Sequence, residues 1–75
     1  MLIVYKAIVQ EDGSRNRTFQ ATLDQDGWID EWVSGPWHPS VTPHLVECGK
    51  DGKFTLFCHK DYLPVFQENP YGARN

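Results

Sequence analysis

Three Asp-Gly steps, at Asp12-Gly13, Asp26-Gly27 and Asp51-Gly52, cut this chain into pieces that suit short elements joined by tight turns. Glycine takes positive φ without steric cost, and aspartate bonds its own backbone, so each step marks a turn. Asp-Gly between apolar runs is also a strong hairpin signal. Leu2 to Gln10, rich in Ile, Val and Tyr, reads as a strand, and Glu11 to Asn16 reads as a turn. Arg17 to Leu23 reads as a second strand, with Phe19, Ala21 and Leu23 on one face and Thr18, Gln20 and Thr22 on the other.

Beyond Asp26-Gly27, Trp28 to Val33 is expected as a third strand, with Trp28, Asp30 and Trp32 sharing a face. Ser34 to Pro43 holds three prolines and a glycine, which exclude regular structure; an ordered loop held by Trp37 is expected there. Leu45 to Cys48 and Phe54 to Cys58 form a hairpin around Gly49 to Lys53. His59 to Leu63 makes one helical turn ended by Pro64, and Val65 to Gln67 supplies a last short strand or packing segment.

These elements predict a mainly β fold, a small antiparallel five- or six-stranded meander or partly open barrel with one short helical turn near residues 59–63. A late hairpin, a one-turn helix and a final short strand follow the order of a Src-homology-3-like barrel, at the level of topology only. A single domain over residues 1–67 and a flexible C-terminal tail over 68–75 are expected from the 75-residue length and the polar end. A domain of this size buries only about 60% of its unfolded surface, so every large apolar residue matters.

Composition narrows the chemistry. Hydrophobic residues make up 40% of the chain and aromatics 13%, with no low-complexity stretch, which is a globular balance. The net charge of −3 and the scattered basic residues, densest at Arg15 and Arg17, argue against tracking a phosphate backbone. The start MLIVYKAIVQ is too short and too interrupted by Lys6 for a membrane span, and it lacks the pattern of an export signal. A cytoplasmic protein with no membrane contact and with two free or metal-binding thiols is the expectation.

All three histidines and both cysteines lie between His38 and His59. A turn spanning Gly49 to Lys53 would oppose His44 to Cys58 and put His44, Cys48 and Cys58 on one face; a shift by one residue opposes His44 to His59 instead. A zinc-stabilised module through His44, Cys48, Cys58 and His59 is therefore one alternative, although no C-x2-C knuckle supports it. Thr22 to Asp30 shares Asp24, Asp26 and Gly27 with a calcium loop but lacks its leading Asp, and Val33 stands where the bidentate Glu belongs. Cys58 and His59 adjoin in sequence but point to opposite faces of a strand, so they make no dyad. A small cysteine-dependent enzyme is the second alternative; the main reading is non-catalytic, with no cofactor.

The aromatics carry that main reading. Three Trp, four Phe and three Tyr exceed what a thin core hides, and Trp and Tyr are enriched at binding hot spots. Trp28, Asp30, Trp32, Trp37 and Tyr62 are the expected binding residues, beside a core of Phe19, Phe54, Leu56 and Phe57. Asp30 and Glu31 favour a partner protein with a basic surface. The pattern fits an adaptor, regulator or inhibitor of a larger assembly, of the kind that small bacterial and phage accessory proteins provide. A homodimer through a free strand edge in Met1 to Gln10 is a further possibility of the pattern.

Overall fold

A computed structural model describes residues 2–26 and 28–68, with Glu68 described in its backbone alone. Five antiparallel strands form one open sheet: β1 (Leu2–Val9), β2 (Arg15–Leu23), β3 (Val33–Ser34), β4 (Leu45–Asp51) and β5 (Phe54–His59). Their spatial order is β3-β2-β1-β5-β4. A 3-10 turn at Thr42–His44 leads into β4, another at Lys60–Tyr62 follows β5, and α1 (Leu63–Glu68) completes the described elements. This is the mainly β antiparallel fold that the turn signals predict. Among the described residues no helix is long and apolar enough to cross a membrane. The expected tail lies, from residue 69 onward, outside the described residues.

β1 pairs with β2 on one side and β5 on the other, so the run expected to offer a free edge is the central strand. Its side chains explain the placement. Val4 is buried on one face and Tyr5 and Ala7 on the other, a demand met only by a strand covered on both sides. β5 behaves alike, with Thr55, Leu56, Phe57 and Cys58 all buried in succession.

The β1–β2 hairpin closes through Gln10 and Ser14, whose backbones bond at 2.8 Å, with Gly13 at φ 87° in the turn. Further along, Lys6 faces Phe19 but Ile8 faces Asn16, so β2 carries one extra residue. Arg17 lies in this bulge with a left-handed φ of 54°. The bulge reverses the alternation: Phe19, Ala21 and Leu23 keep one face, and Arg15 turns onto the other. At the second hairpin Asp51 pairs directly with Phe54, leaving a two-residue Gly52-Lys53 turn with Gly52 at φ 59°. Leu45 then faces His59 and Val46 faces Cys58, which is neither of the registers expected from longer turns.

Each face of the sheet has its own cover. Phe66 of α1, 3% exposed, seals one face over Val4, Ala21, Leu23, Leu56 and Cys58, with Leu2, Ile29, Trp32, Val46, Cys48 and Leu63 around it. Val65 to Gln67 is thus helix rather than strand. Pro64 falls in the first turn of α1, where a missing N–H leaves no bond broken, so it starts a helix instead of ending one. On the opposite face, Trp37 packs on Tyr5, Ala7, Leu45 and Phe57. β3 and β4 lie at opposite edges, so the connection between them crosses this face, and Trp37 is its plug.

Trp28 to Val33 is a strand only at its end. Ile29 makes an isolated bridge to Leu23, Asp30 N–H donates to the Thr22 carbonyl, and β3 proper covers only Val33 and Ser34. Asp24 bends the approach by accepting from the backbone N–H groups of Asp26 and Trp28 through Oδ1.

Trp37 is 8% exposed, meets Tyr5 and Phe57 edge-on at 5.6 and 5.3 Å, and donates from Nε1 to the Phe19 carbonyl at 2.9 Å. Trp37→Ala is expected to cost about 3–5 kcal/mol through cavity formation. Trp37→Phe keeps a ring but deletes the indole donor to the Phe19 carbonyl, at about 0.5–1.5 kcal/mol. Urea unfolding checks both, and equal losses for the two variants would contradict the separate roles given to ring and N–H.

Candidate functional site

The side chains expected to bind come from three places, and the structure gathers only some of them. Lys6, from the middle of β1, lies on the α1 face and extends over three aromatic rings. Its Nζ is 4.2 Å from the Trp32 ring centre, 4.6 Å from Phe54 and 5.3 Å from Phe19. β-strand alternation and the Lys6–Phe19 pairing set Lys6 beside Phe19, and β5 brings Phe54 to the same end of the face. All four side chains are half-buried, and Lys6 makes no ion pair among the described residues. Ring quadrupoles thus provide the ammonium's partners. Nothing in the local sequence around Lys6 signals this cluster, because its rings come from three separate segments.

Trp32 approaches the cluster from segment 28–33, which follows the β2 edge. Trp28, 45% exposed, stands at the start of that segment and Val33, 58% exposed, near its end, with exposed Asp30 and Glu31 between them. The segment is held at several points: the Asp24 carboxylate on Trp28 N–H, the Ile29 bridge, the Asp30 bond to Thr22, and Lys6 over Trp32. Two shallow depressions adjoin it, one lined by Leu2, Leu23, Asp24 and Gln25, the other by Thr22, Leu23, Asp24, Ile29 and Asp30.

Trp37 does not belong to this surface. It is buried on the opposite face because the β3-to-β4 connection needs an anchor there, and Arg15 covers it with Cζ 5.3 Å from its ring and 4.5 Å from Phe57. Tyr62 is 47% exposed but meets the edge of the His59 ring at 6.0 Å, at the β5 end of the molecule. Of the expected set, Trp28, Asp30 and Trp32 share one segment, and Trp37 and Tyr62 stand apart from it.

The cysteine–histidine cluster also divides. Cys58 is fully buried on the α1 face, and Cys48, displaced by a bulge between Glu47 and Gly49, packs against the same core. His59 falls on the other face by alternation, where its ring lies 5.3 Å from that of His44. The tighter turn sets this register, and among the described residues no three His, Cys, Asp or Glu come together as a metal site. Two of the histidines bond to backbone. His59 Nδ1 accepts from Asp61 N–H, capping the 60–62 turn, and His38 Nδ1 accepts from Ser40 N–H within the crossing loop.

The thiols interact with each other and are held protonated. Burial pushes Cys48 from 9.0 up to about 12, helped by the neighbouring Cys58 and Glu47. Burial also raises Cys58, partly offset by its bond to Cys48. Comparison with known proteins finds no matching family model, no matching curated protein and no matching solved structure. The site is therefore read from its own geometry.

Two expectations follow. Lys6→Met keeps an apolar stem and deletes the charge, so urea unfolding should show a loss of about 0.5–2 kcal/mol, with Lys6→Arg closer to the wild type. Unchanged stability in Lys6→Met would show that the rings draw nothing from the cation. For Cys48, the folded chain keeps its proton between pH 9.0 and about 12 while the unfolded chain releases it. That contribution is complete below pH 9 and falls as pH rises toward 12, so stability should decline over this range and decline less in Cys48→Ala. Identical pH profiles of the two proteins would refute the assignment.

Proposed function

We propose that this chain is a small non-catalytic protein-binding module whose contact surface is segment 28–33 with the Lys6 aromatic cluster behind it. The observation that carries the reading is an exposed apolar surface held on fixed backbone: Trp28 and Val33 remain open to solvent although several anchors fix the segment between them. An anchored loop loses little entropy on docking, and an exposed Trp beside a rigid support is the usual composition of a hot spot. The adjoining depressions are shallow, which suits a protein surface better than a small molecule held in an enclosed cavity.

Asp30 and Glu31 give this surface a negative rim, so the partner presents basic residues around an apolar centre. The role fits an adaptor, regulator or inhibitor in a larger assembly, such as those served by bacterial or phage accessory proteins. Specificity arises from the acidic rim and affinity from Trp28 and Val33.

Affinity capture with the wild type and with Trp28→Ala/Val33→Ser tests the reading, with matched melting curves establishing that both are folded. A protein retained by the wild type should bind the variant at least about 30-fold more weakly, the equivalent of a 2 kcal/mol hot spot. Asp30→Lys/Glu31→Lys should weaken the same complex and reduce its salt sensitivity. A partner that binds the folded Trp28 and Val33 variant as tightly as the wild type overturns the proposal.

A further inference from the structure

The two edges of the sheet are unequal. β3 closes one edge with two residues, whereas β4 presents seven residues at the other and pairs only with β5. Beyond the Leu45 N–H, which donates to the Thr42 carbonyl, no backbone hydrogen bond of β4 outside its pairing with β5 is found among the described residues. Such an edge is a template for another strand unless something blunts it.

The residues on β4 choose between possible strands. Glu47 and Lys50 lie on the same face, both well exposed, with Lys50 Nζ 3.9 Å from Glu47 Oε1 and 3.1 Å from Thr55 Oγ1. A foreign strand meets a charge of each sign here, and a mismatched one leaves like charges opposed. A second copy in antiparallel register is different. With the twofold axis between Cys48 and Gly49, Glu47 stands opposite Lys50 of the second copy, and Lys50 opposite its Glu47.

The bulge fits this arrangement. An extra residue at Cys48 breaks the ladder against a regular strand, which is one way edges are protected. Across a twofold axis the same extra residue occurs on both sides, so the two irregularities meet and the register on either side is kept. α1 packs against β4 and carries an exposed Val65.

We propose that β4 is a self-association edge, through which two copies pair antiparallel into a continuous ten-stranded sheet held in register by reciprocal Glu47–Lys50 contacts. The interface is independent of segment 28–33, which lies along the β2 and β3 side of the sheet. A seven-residue edge is a small interface, so the dimer forms at high concentration and weakens with salt.

Sedimentation equilibrium from about 10 μM to about 1 mM should show the wild type moving from 8.7 kDa toward twice that mass. Glu47→Lys and Lys50→Glu, each confirmed folded by circular dichroism, should remain monomeric because each opposes like charges across the axis. An equimolar mixture of the two should dimerise again. Each variant chain keeps two like charges at positions 47 and 50, so restored charge pairing within a chain cannot explain recovery in the mixture. A wild type that stays monomeric at 1 mM, single variants that dimerise as the wild type does, or a mixture of folded variants that stays monomeric would each overturn the proposal.

Discussion

The crossing from β3 to β4 is the constraint on which the rest of the molecule depends. One connection joins strands at opposite edges of a single sheet, so it passes over a face and must replace the water it displaces with apolar contact. Trp37 does this over Tyr5 and Phe57, and Ala7 leaves space for an indole that a larger side chain would displace. The loop is fixed on both sides of the plug. Thr18 and Gly35 exchange two bonds at its start, and the His38 carbonyl accepts from Val41 N–H, Thr42 N–H and the Thr42 hydroxyl further on. The Arg17 bulge completes the cover, because without it Arg15 would point to the other face and the outer side of Trp37 would lose its cationic lid.

The small size of the chain explains why its three tryptophans have different fates. One sheet needs two covers, and each cover here is a short segment carrying one dominant aromatic, Trp37 on one side and Phe66 on the other. The Lys6 end of the α1 face is closed by a third set of rings. Trp32 closes that end with Phe19 and Phe54, and the lysine stem and ammonium fill the space between the rings. Lysine suits such a margin because its methylenes cover apolar surface while its charge stays near water. With both faces covered, Trp28 has no core position left, and it remains at the surface on a segment whose neighbours are fixed.

Much of this architecture was legible in the residues, and what was not has definite causes. The hairpins at Gly13 and Gly52 follow from local turn chemistry, and the Phe19, Ala21, Leu23 face follows from alternation, because both signals act over a few residues. The register of β4 on β5 depends on turn length, which Gly49-Lys50-Asp51-Gly52-Lys53 leaves ambiguous; the two-residue solution opposes Leu45 to His59 and Val46 to Cys58. The central place of β1 had a signal that alternation alone does not use. Leu-Ile-Val-Tyr in β1, like Phe-Thr-Leu-Phe-Cys in β5, is a continuous run suited to burial on both faces. Pro64 was ambiguous in principle, since a proline that ends one turn is equally suited to begin the next helix. The aromatic cluster at Lys6 is a tertiary property with no local pattern, and the candidate surface was correspondingly visible only in part, through Trp28, Asp30 and Trp32.

Burial also limits where a domain of this kind can act. Among the described residues, both faces of the single sheet are used for the core. The two contacts proposed above accordingly lie at edges and at the rims of the covering segments. The two edges solve this differently. On the β2 and β3 side the strand is short and the approach is shaped by side chains, so the contact proposed there rests on Trp28, Val33 and the acidic rim. On the β4 side a seven-residue strand pairs only with β5, and the self-pairing proposed for it rests on the charges of Glu47 and Lys50. The proposed side-chain recognition at one edge and the proposed backbone pairing at the other would leave the core untouched, so a chain this thin could hold both contacts without weakening either cover.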